Sequence, residues 1–129
     1  MLLGHPIDDS AGMVGAAREL AALGAPAVLL KGGHLTSDAG ARCADLLYAG
    51  GEANWLDGPR IPGDGAHGTG CMLSAHVTAR LALGDGLAVA CWRAKAAVTE
   101  ALRGAVRVGR GQRVLWALES PEVPSGQPW

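Results

Sequence analysis

The residues best suited to chemistry form a glycine-rich run, His67-Gly68-Thr69-Gly70-Cys71, that leads directly into a predicted helix. The first turn of a helix leaves backbone amides without intrahelical partners and carries a partial positive charge. Because glycines let a ligand approach these amides closely, the run predicts an anion site that could cradle a phosphate. Cys71, in the first turn, is either a proton acceptor or an ordinary buried thiol.

Other motifs compete for the same run. The stretch from Gly63 to Gly68 matches GxGxxG. A dinucleotide-binding fold also needs a strand just before this motif and another strand, ending in an acidic residue, after it. Neither strand is evident in the sequence, because one predicted helix follows another. A P-loop needs a lysine after its last glycine, and none follows here. A metal site would use His67, Cys71 and His76, whose spacing matches no familiar ligand pattern. The run therefore favours a phosphate site with no protein-bound metal, and a dinucleotide-binding domain stays as a weaker alternative.

The elements that precede this run indicate an α/β fold. Asp8, Asp9 and Ser10 are all good helix caps, and after them apolar residues recur at three- and four-residue steps, which predicts a helix that Gly24 ends. The apolar run 25–31 predicts a strand buried on both faces. Residues 45–56 predict a hairpin that turns at Gly50 and its neighbours. A helix followed at once by a buried strand is typical of a sheet covered by helices.

Two helices are predicted after the glycine-rich run. Their apolar periods extend from Cys71 to Leu83 and from Leu87 to Val108, with a glycine-bearing turn between them. Beyond Gly109 the period is lost and prolines accumulate. We therefore predict a folded domain over residues 1–111 and a disordered tail over residues 112–129.

Composition limits the class of protein. The chain has 129 residues, 49% of them hydrophobic, which suits one globular domain. Its net charge of -1 gives no general attraction to nucleic acid or to an anionic membrane. No apolar stretch is long enough to span a bilayer, no basic-then-apolar leader opens the chain, and its three cysteines have no paired spacing. We expect a cytoplasmic protein that binds neither nucleic acid nor membrane.

Four motifs occur in a fixed order along the chain: Lys31-Gly32-Gly33-His34-Leu35, Asp45-Leu46-Leu47-Tyr48, Pro59-Arg60-Ile61, and His67-Gly68-Thr69-Gly70-Cys71 followed by Ser74-Ala75. Their order and spacing resemble the C-terminal half of hydroxymethylpyrimidine/phosphomethylpyrimidine kinase, a member of the ribokinase-like superfamily. The resemblance implies the C-terminal portion of a three-layer α/β/α fold, with a short β-hairpin and two C-terminal helices. The chain departs from the usual family pattern at Gly63, Gly65 and Ala66.

The same resemblance implies an activity. It implies ATP-dependent phosphorylation of 4-amino-5-hydroxymethyl-2-methylpyrimidine and then of its monophosphate, in thiamine biosynthesis, with Mg²⁺ bridging the nucleotide phosphates. Cys71 would be the catalytic base that accepts the substrate's hydroxyl proton. The anion hole would comprise the backbone amides of Gly68, Thr69, Gly70 and Cys71. The nucleotide-binding residues would be Lys31, Gly32 and Gly33.

The family's N-terminal strands, which form most of its pyrimidine pocket, have no counterpart in this sequence. One hypothesis is therefore a kinase in which this chain supplies the nucleotide-binding half. The other is a truncated, catalytically inactive remnant that keeps a nucleotide or anion site. Either form would expose an apolar strand edge, so we expect self-association or a complementing chain.

Overall fold

The computed structural model describes residues 3–33, 35, 43–63 and 65–115. In chain order the elements are α1 (Ser10–Ala22), β1 (Ala27–Leu30), β2 (Asp45–Ala49), β3 (Glu52–Leu56), α2 (Thr69–Ala82), α3 (Leu87–Arg103), β4 (Val106–Arg107) and β5 (Arg113–Val114).

The first helix, α1, forms where the sequence predicts it. The carboxylate of Asp9, the N-cap, accepts a hydrogen bond from the backbone N–H of Gly12 at 2.7 Å. This bond satisfies one of the amides that a helix start leaves without a partner. The helix ends at Ala22, and Gly24 follows with a φ of +107°, in the left-handed region that favours glycine.

Three antiparallel strands form the central sheet in the order β1-β2-β3. In the register, Leu29 of β1 lies opposite Leu47 of β2. β2 and β3 are joined by Gly50 and Gly51, whose φ angles are +60° and +85°. A two-residue type I′ turn requires positive φ at both central positions, so the predicted hairpin is confirmed together with the reason for its glycines.

The sheet lies between two helical layers. On one face, Leu46 packs in a buried cluster with Met13 and Ala17 of α1. On the other face, the adjacent Leu47 packs with Cys91 of α3. Because successive strand residues point to opposite faces, both faces of β2 are covered. This arrangement is the predicted α/β/α layering.

The strand β1 is less buried than predicted. The sequence predicts a strand buried on both faces, whereas residues 27–30 are all half-buried. Within the described part of the chain, β1 hydrogen-bonds to β2 and lies at the edge of the sheet. An edge strand is covered on fewer sides, which accounts for the difference.

The helices α2 and α3 pack side by side on the sheet. Leu73 of α2 and Val98 of α3 belong to one buried cluster. In the turn between the helices, Asp85 accepts hydrogen bonds from Arg80 at 2.5 Å and from Arg93 at 3.2 Å. None of the helices in the described residues is both long and apolar enough to cross a membrane.

The predicted end of α3 is wrong. The helix ends at Arg103 rather than at Val108, because Gly104 follows as its C-cap and the chain then turns into β4. β4 pairs antiparallel with β5, so its backbone groups bond across a small hairpin and not along a helix.

The hairpin also corrects the predicted tail boundary. β5, at residues 113–114, lies inside the segment 112–129 that the sequence predicts to be disordered, so that segment begins too early. The rest of the predicted tail, residues 116–129, lies outside the described residues.

Candidate functional site

The start of α2 has the form of an anion site. Its N-cap, Gly68, has a φ of +92°, and no side chain within the described structure caps the helix. The N–H of Met72 donates to the carbonyl of Gly68 at 2.8 Å and begins the hydrogen-bond ladder of the helix. The amides of Thr69, Gly70 and Cys71 therefore precede that ladder, which is where a helix binds anions.

The lysine that follows β1 reaches this helix end. Nζ of Lys31 donates a hydrogen bond to Oγ1 of Thr69 at 3.1 Å, across 38 residues of sequence. Behind Lys31, a Cβ at Gly32 would lie 1.9 Å from the carbonyl oxygen of Ala44, so only glycine fits there. The structure thus brings together Lys31 and the glycine-rich run, which the sequence proposed as separate parts of one site.

A cavity of about 520 Å³ opens beside these groups. Lys31, Gly33 and Thr69 line it, and the carbonyl of Gly33 accepts a hydrogen bond from Nη1 of Arg60 at 3.0 Å. Further wall residues are the apolar Ile61, Ala66, Val98 and Leu102 and the polar Thr99 and Gln112. The volume lies within the range of small-molecule pockets, roughly 300–1,000 Å³.

The predicted catalytic thiol lies on the other side of the same helix end. Thr69 and Leu73 line the cavity, and Cys71 is separated from Thr69 by about 200° around the helix axis. Cys71 is accordingly exposed and faces away from the cavity. Cys91, by contrast, is 1% exposed, and burial raises the pKa of its thiol, so it is poorly suited to accept a proton near neutral pH.

The loop before α2 is fixed by the β4–β5 hairpin. The N–H of His67 donates to the carbonyl of Arg113 at 2.9 Å, and the Arg113 guanidinium donates to the carbonyls of Leu102 and Ala105. A Cβ at Gly63 would lie 2.7 Å from Nη1 of Arg113. These contacts hold the loop that contains Gly63 and His67 against the hairpin, and a side chain at position 63 would have to displace the Arg113 guanidinium.

Two buried charged residues in the cavity wall, Asp45 and Lys95, are not among the predicted site residues, although Asp45 lies in one of the family motifs. Nζ of Lys95 donates to Oδ2 of Asp45 at 2.8 Å, and the two side chains are 11% and 8% exposed. Lys95 follows the buried Cys91 by four residues and so lies near the apolar stripe of α3, a position that could have indicated a buried charge. Gln112 was missed because it falls in the predicted tail.

The metal site that the sequence analysis weighed as an alternative has no set of ligands in the described structure. Among the described residues, no group of three or more histidine, cysteine, aspartate or glutamate side chains is arranged to hold a metal ion.

Comparison with known proteins agrees with this architecture. A phosphomethylpyrimidine kinase family profile matches residues 1–116. Over 110 residues the chain is 40% identical to the hydroxymethylpyrimidine/phosphomethylpyrimidine kinase of Streptomyces coelicolor, covering 85% of this chain and 39% of that protein. It is 43% identical to the thiamine biosynthesis bifunctional protein ThiED of Geobacter sulfurreducens, covering 85% of this chain and 22% of that protein. The chain thus spans two-fifths or less of these relatives.

Solved structures share the fold. The pyridoxal kinase of Bacillus subtilis, in an ADP complex, superposes with a TM-score of 0.79 at 31% identity, covering 86% of this chain and 42% of that one. The pyridoxal kinase of Staphylococcus aureus, in complex with AMP-PCP and pyridoxal, superposes with a TM-score of 0.77 at 28% identity, covering 84% and 39%. The predicted partial ribokinase-like fold is confirmed. Because the family match extends over all of the described residues, the chain belongs to the phosphomethylpyrimidine kinase family.

Proposed function

We propose that this chain provides the nucleotide site and anion hole of an ATP-dependent kinase that phosphorylates hydroxymethylpyrimidine and its monophosphate. The observation that carries the proposal is the 3.1 Å bond between Lys31 and Thr69, which holds a cation at the start of α2 and at the edge of the cavity. Relatives named as hydroxymethylpyrimidine/phosphomethylpyrimidine kinases support the substrate, and neighbours crystallised with ADP and AMP-PCP support the nucleotide.

The residues at this end of the cavity suit a polyphosphate. The Lys31 ammonium lies next to the positive end of α2, where an anion would be stabilised by both. A Cβ at Gly65 or Gly70 would meet no heavy atom of the described residues within 4 Å, so that part of the structure leaves the backbone there open to a ligand. Lys31 and the first amides of α2 would hold the phosphates, and the apolar wall residues would contact the base.

The two sides of the α2 start correspond to the two reactants of phosphoryl transfer. The nucleotide would occupy the cavity, and the hydroxymethyl group would approach from the side of Cys71. The Sγ thiolate of Cys71 would accept the hydroxyl proton as the substrate oxygen bonds to the γ-phosphorus of ATP and ADP leaves. The amides of residues 68–71 would stabilise negative charge on the transferring group, and Lys31 would offset charge on the nucleotide. When bound, Mg²⁺-ATP supplies the phosphoryl group and further charge neutralisation.

A coupled assay of ADP release separates the candidate functions. We expect turnover with hydroxymethylpyrimidine to exceed turnover with pyridoxal, because the sequence relatives are pyrimidine kinases although solved neighbours are pyridoxal kinases. Nucleotide binding without turnover would instead support the inactive remnant. Binding of a nicotinamide dinucleotide in place of ATP would favour the dinucleotide-binding alternative.

The edge position of β1 gives a reason to measure the oligomeric state of the protein used in the kinase assay. β1 is half-buried, and within the described sheet β2 is its hydrogen-bonded neighbour. A second copy or a complementing chain could therefore cover this edge and contribute to the pyrimidine pocket.

A further inference from the structure

The buried ion pair in the cavity wall also contacts the backbone next to Lys31. Asp45 uses both carboxylate oxygens: Oδ2 accepts from Nζ of Lys95 at 2.8 Å, and Oδ1 accepts from the backbone N–H of Gly32 at 2.9 Å. Both bonds are buried. Gly32 directly follows Lys31, so the carboxylate fixes the chain one residue from the ammonium that reaches Thr69.

Lys95 is held in turn by the loop that follows β3. A Cβ at Gly58 would lie 2.9 Å from Cε of Lys95, and the carbonyl of Gly58 accepts a hydrogen bond from the N–H of Cys43 at 2.8 Å. The stem of Lys95 therefore packs closely against this loop. Its ammonium has little freedom to leave Asp45, and Asp45 is kept beneath Gly32.

Stability alone does not explain a buried pair at this place. Removing two charges from water costs free energy, and well-packed apolar residues of similar volume often stabilise a fold as much as a buried ion pair or more. Gly32 offers no side chain by which packing could fix it, because the carbonyl of Ala44 occupies that space. A buried acceptor for its N–H is the means by which this structure sets the direction of the chain at Lys31.

We propose that Asp45, with Lys95 as its counter-ion, is a positioning residue that holds Lys31 at the phosphate end of the cavity through the Gly32 amide. The contribution of Asp45 to phosphate binding rests on the proposed function. The positioning of Lys31 by Asp45 does not depend on that function.

The chain offers a matched pair of variants. Asp45→Asn with Lys95→Met removes both charges but keeps a side-chain oxygen that can accept from Gly32. Asp45→Ala with Lys95→Met removes both charges and that acceptor. The chain has two lysines, Lys31 and Lys95, so Lys31 is the only lysine left in either variant. Circular dichroism and thermal melting establish that both variants are folded.

The first readout is the rate at which an acetylating ester modifies Lys31, followed by peptide mass spectrometry. Thr69→Val, which removes the acceptor of the Lys31 ammonium, gives the rate for a released side chain. We expect the alanine-containing variant to approach that rate, about twofold to tenfold above wild type, as loss of one ordinary hydrogen bond implies. The asparagine-containing variant should stay near wild type. Equal rates in the two variants, or a wild-type rate equal to that of Thr69→Val, would overturn the proposal.

The second readout is the affinity for Mg²⁺-ATP, measured by calorimetry. We expect the alanine-containing variant to bind more weakly than the asparagine-containing one, and the difference to vanish when Lys31→Met is added to both. A difference that persists without Lys31 would show that Asp45 acts by another route. If wild type binds no Mg²⁺-ATP while the acetylation pattern holds, the proposed function fails and the positioning of Lys31 stands.

Discussion

Replacing Cys71 with alanine is expected to lower the rate of ADP release with hydroxymethylpyrimidine by about 10²–10⁴-fold, the usual contribution of a general base. The thiol is exposed at the first turn of α2 and faces away from the cavity that Lys31 and Thr69 line. The affinity for Mg²⁺-ATP should therefore stay within about twofold of wild type, since a change on the acceptor side leaves nucleotide contacts intact.

Thr78→Ala is the matched control for this substitution. Thr78 lies on the same helix, is exposed, and donates its hydroxyl hydrogen bond to the carbonyl of Ser74 at 2.9 Å, away from the cavity. Its rate should equal that of wild type. An unchanged rate in Cys71→Ala would remove the proposed base role and leave Cys71 as an ordinary exposed thiol at the helix start.

Replacing Lys95 alone with methionine is expected to lower the free energy of unfolding by about 3–5 kcal/mol, because it leaves the Asp45 carboxylate buried without its cation. Urea unfolding followed by circular dichroism measures the change. The reason is specific to charge: methionine fills much of the lysine stem's volume, so the loss comes from the uncompensated carboxylate and not from a cavity.

The other lysine provides the comparison. Lys31 is exposed, and Lys31→Met should change the free energy of unfolding by no more than about 0.5 kcal/mol, as is usual at the surface. Adding Asp45→Asn to Lys95→Met removes the stranded charge and should recover most of the lost stability. A Lys95→Met protein as stable as wild type would mean that the Asp45 carboxylate does not need this cation in the folded chain.

Short-range sequence signals were sufficient to predict several of the helices and strands that position the site. Asp8, Asp9 and Ser10 mark the start of α1 because their side chains can satisfy a free helix amide, and the structure shows that Asp9 does so by accepting from Gly12. Gly50 and Gly51 mark the hairpin because both adopt positive φ. Each of these signals acts over a few residues, which is why a single sequence reveals it.

The parts that the sequence did not reveal depend on distant contacts. The helical period of α3 continues past Arg103, but pairing of Val106–Arg107 with Arg113–Val114 overrides it. Asp45 and Lys95 are 50 residues apart, and only the folded chain shows that they meet. Lys31 and Thr69 were each predicted to lie near phosphate, yet the bond between them depends on how β1 and α2 are placed by the sheet and helices.

Calorimetric titration of Mg²⁺-ATP into wild type and Lys31→Met measures whether Lys31 and the start of α2 form a phosphate site. We expect wild type to bind, and Lys31→Met to bind about tenfold or more weakly, since hydrogen bonds to charged groups contribute about 1.5–3 kcal/mol. Thermal melting of Lys31→Met establishes that the variant is folded. Equal affinity in the two proteins, or no binding by wild type, would show that Lys31 and the start of α2 do not form this phosphate site.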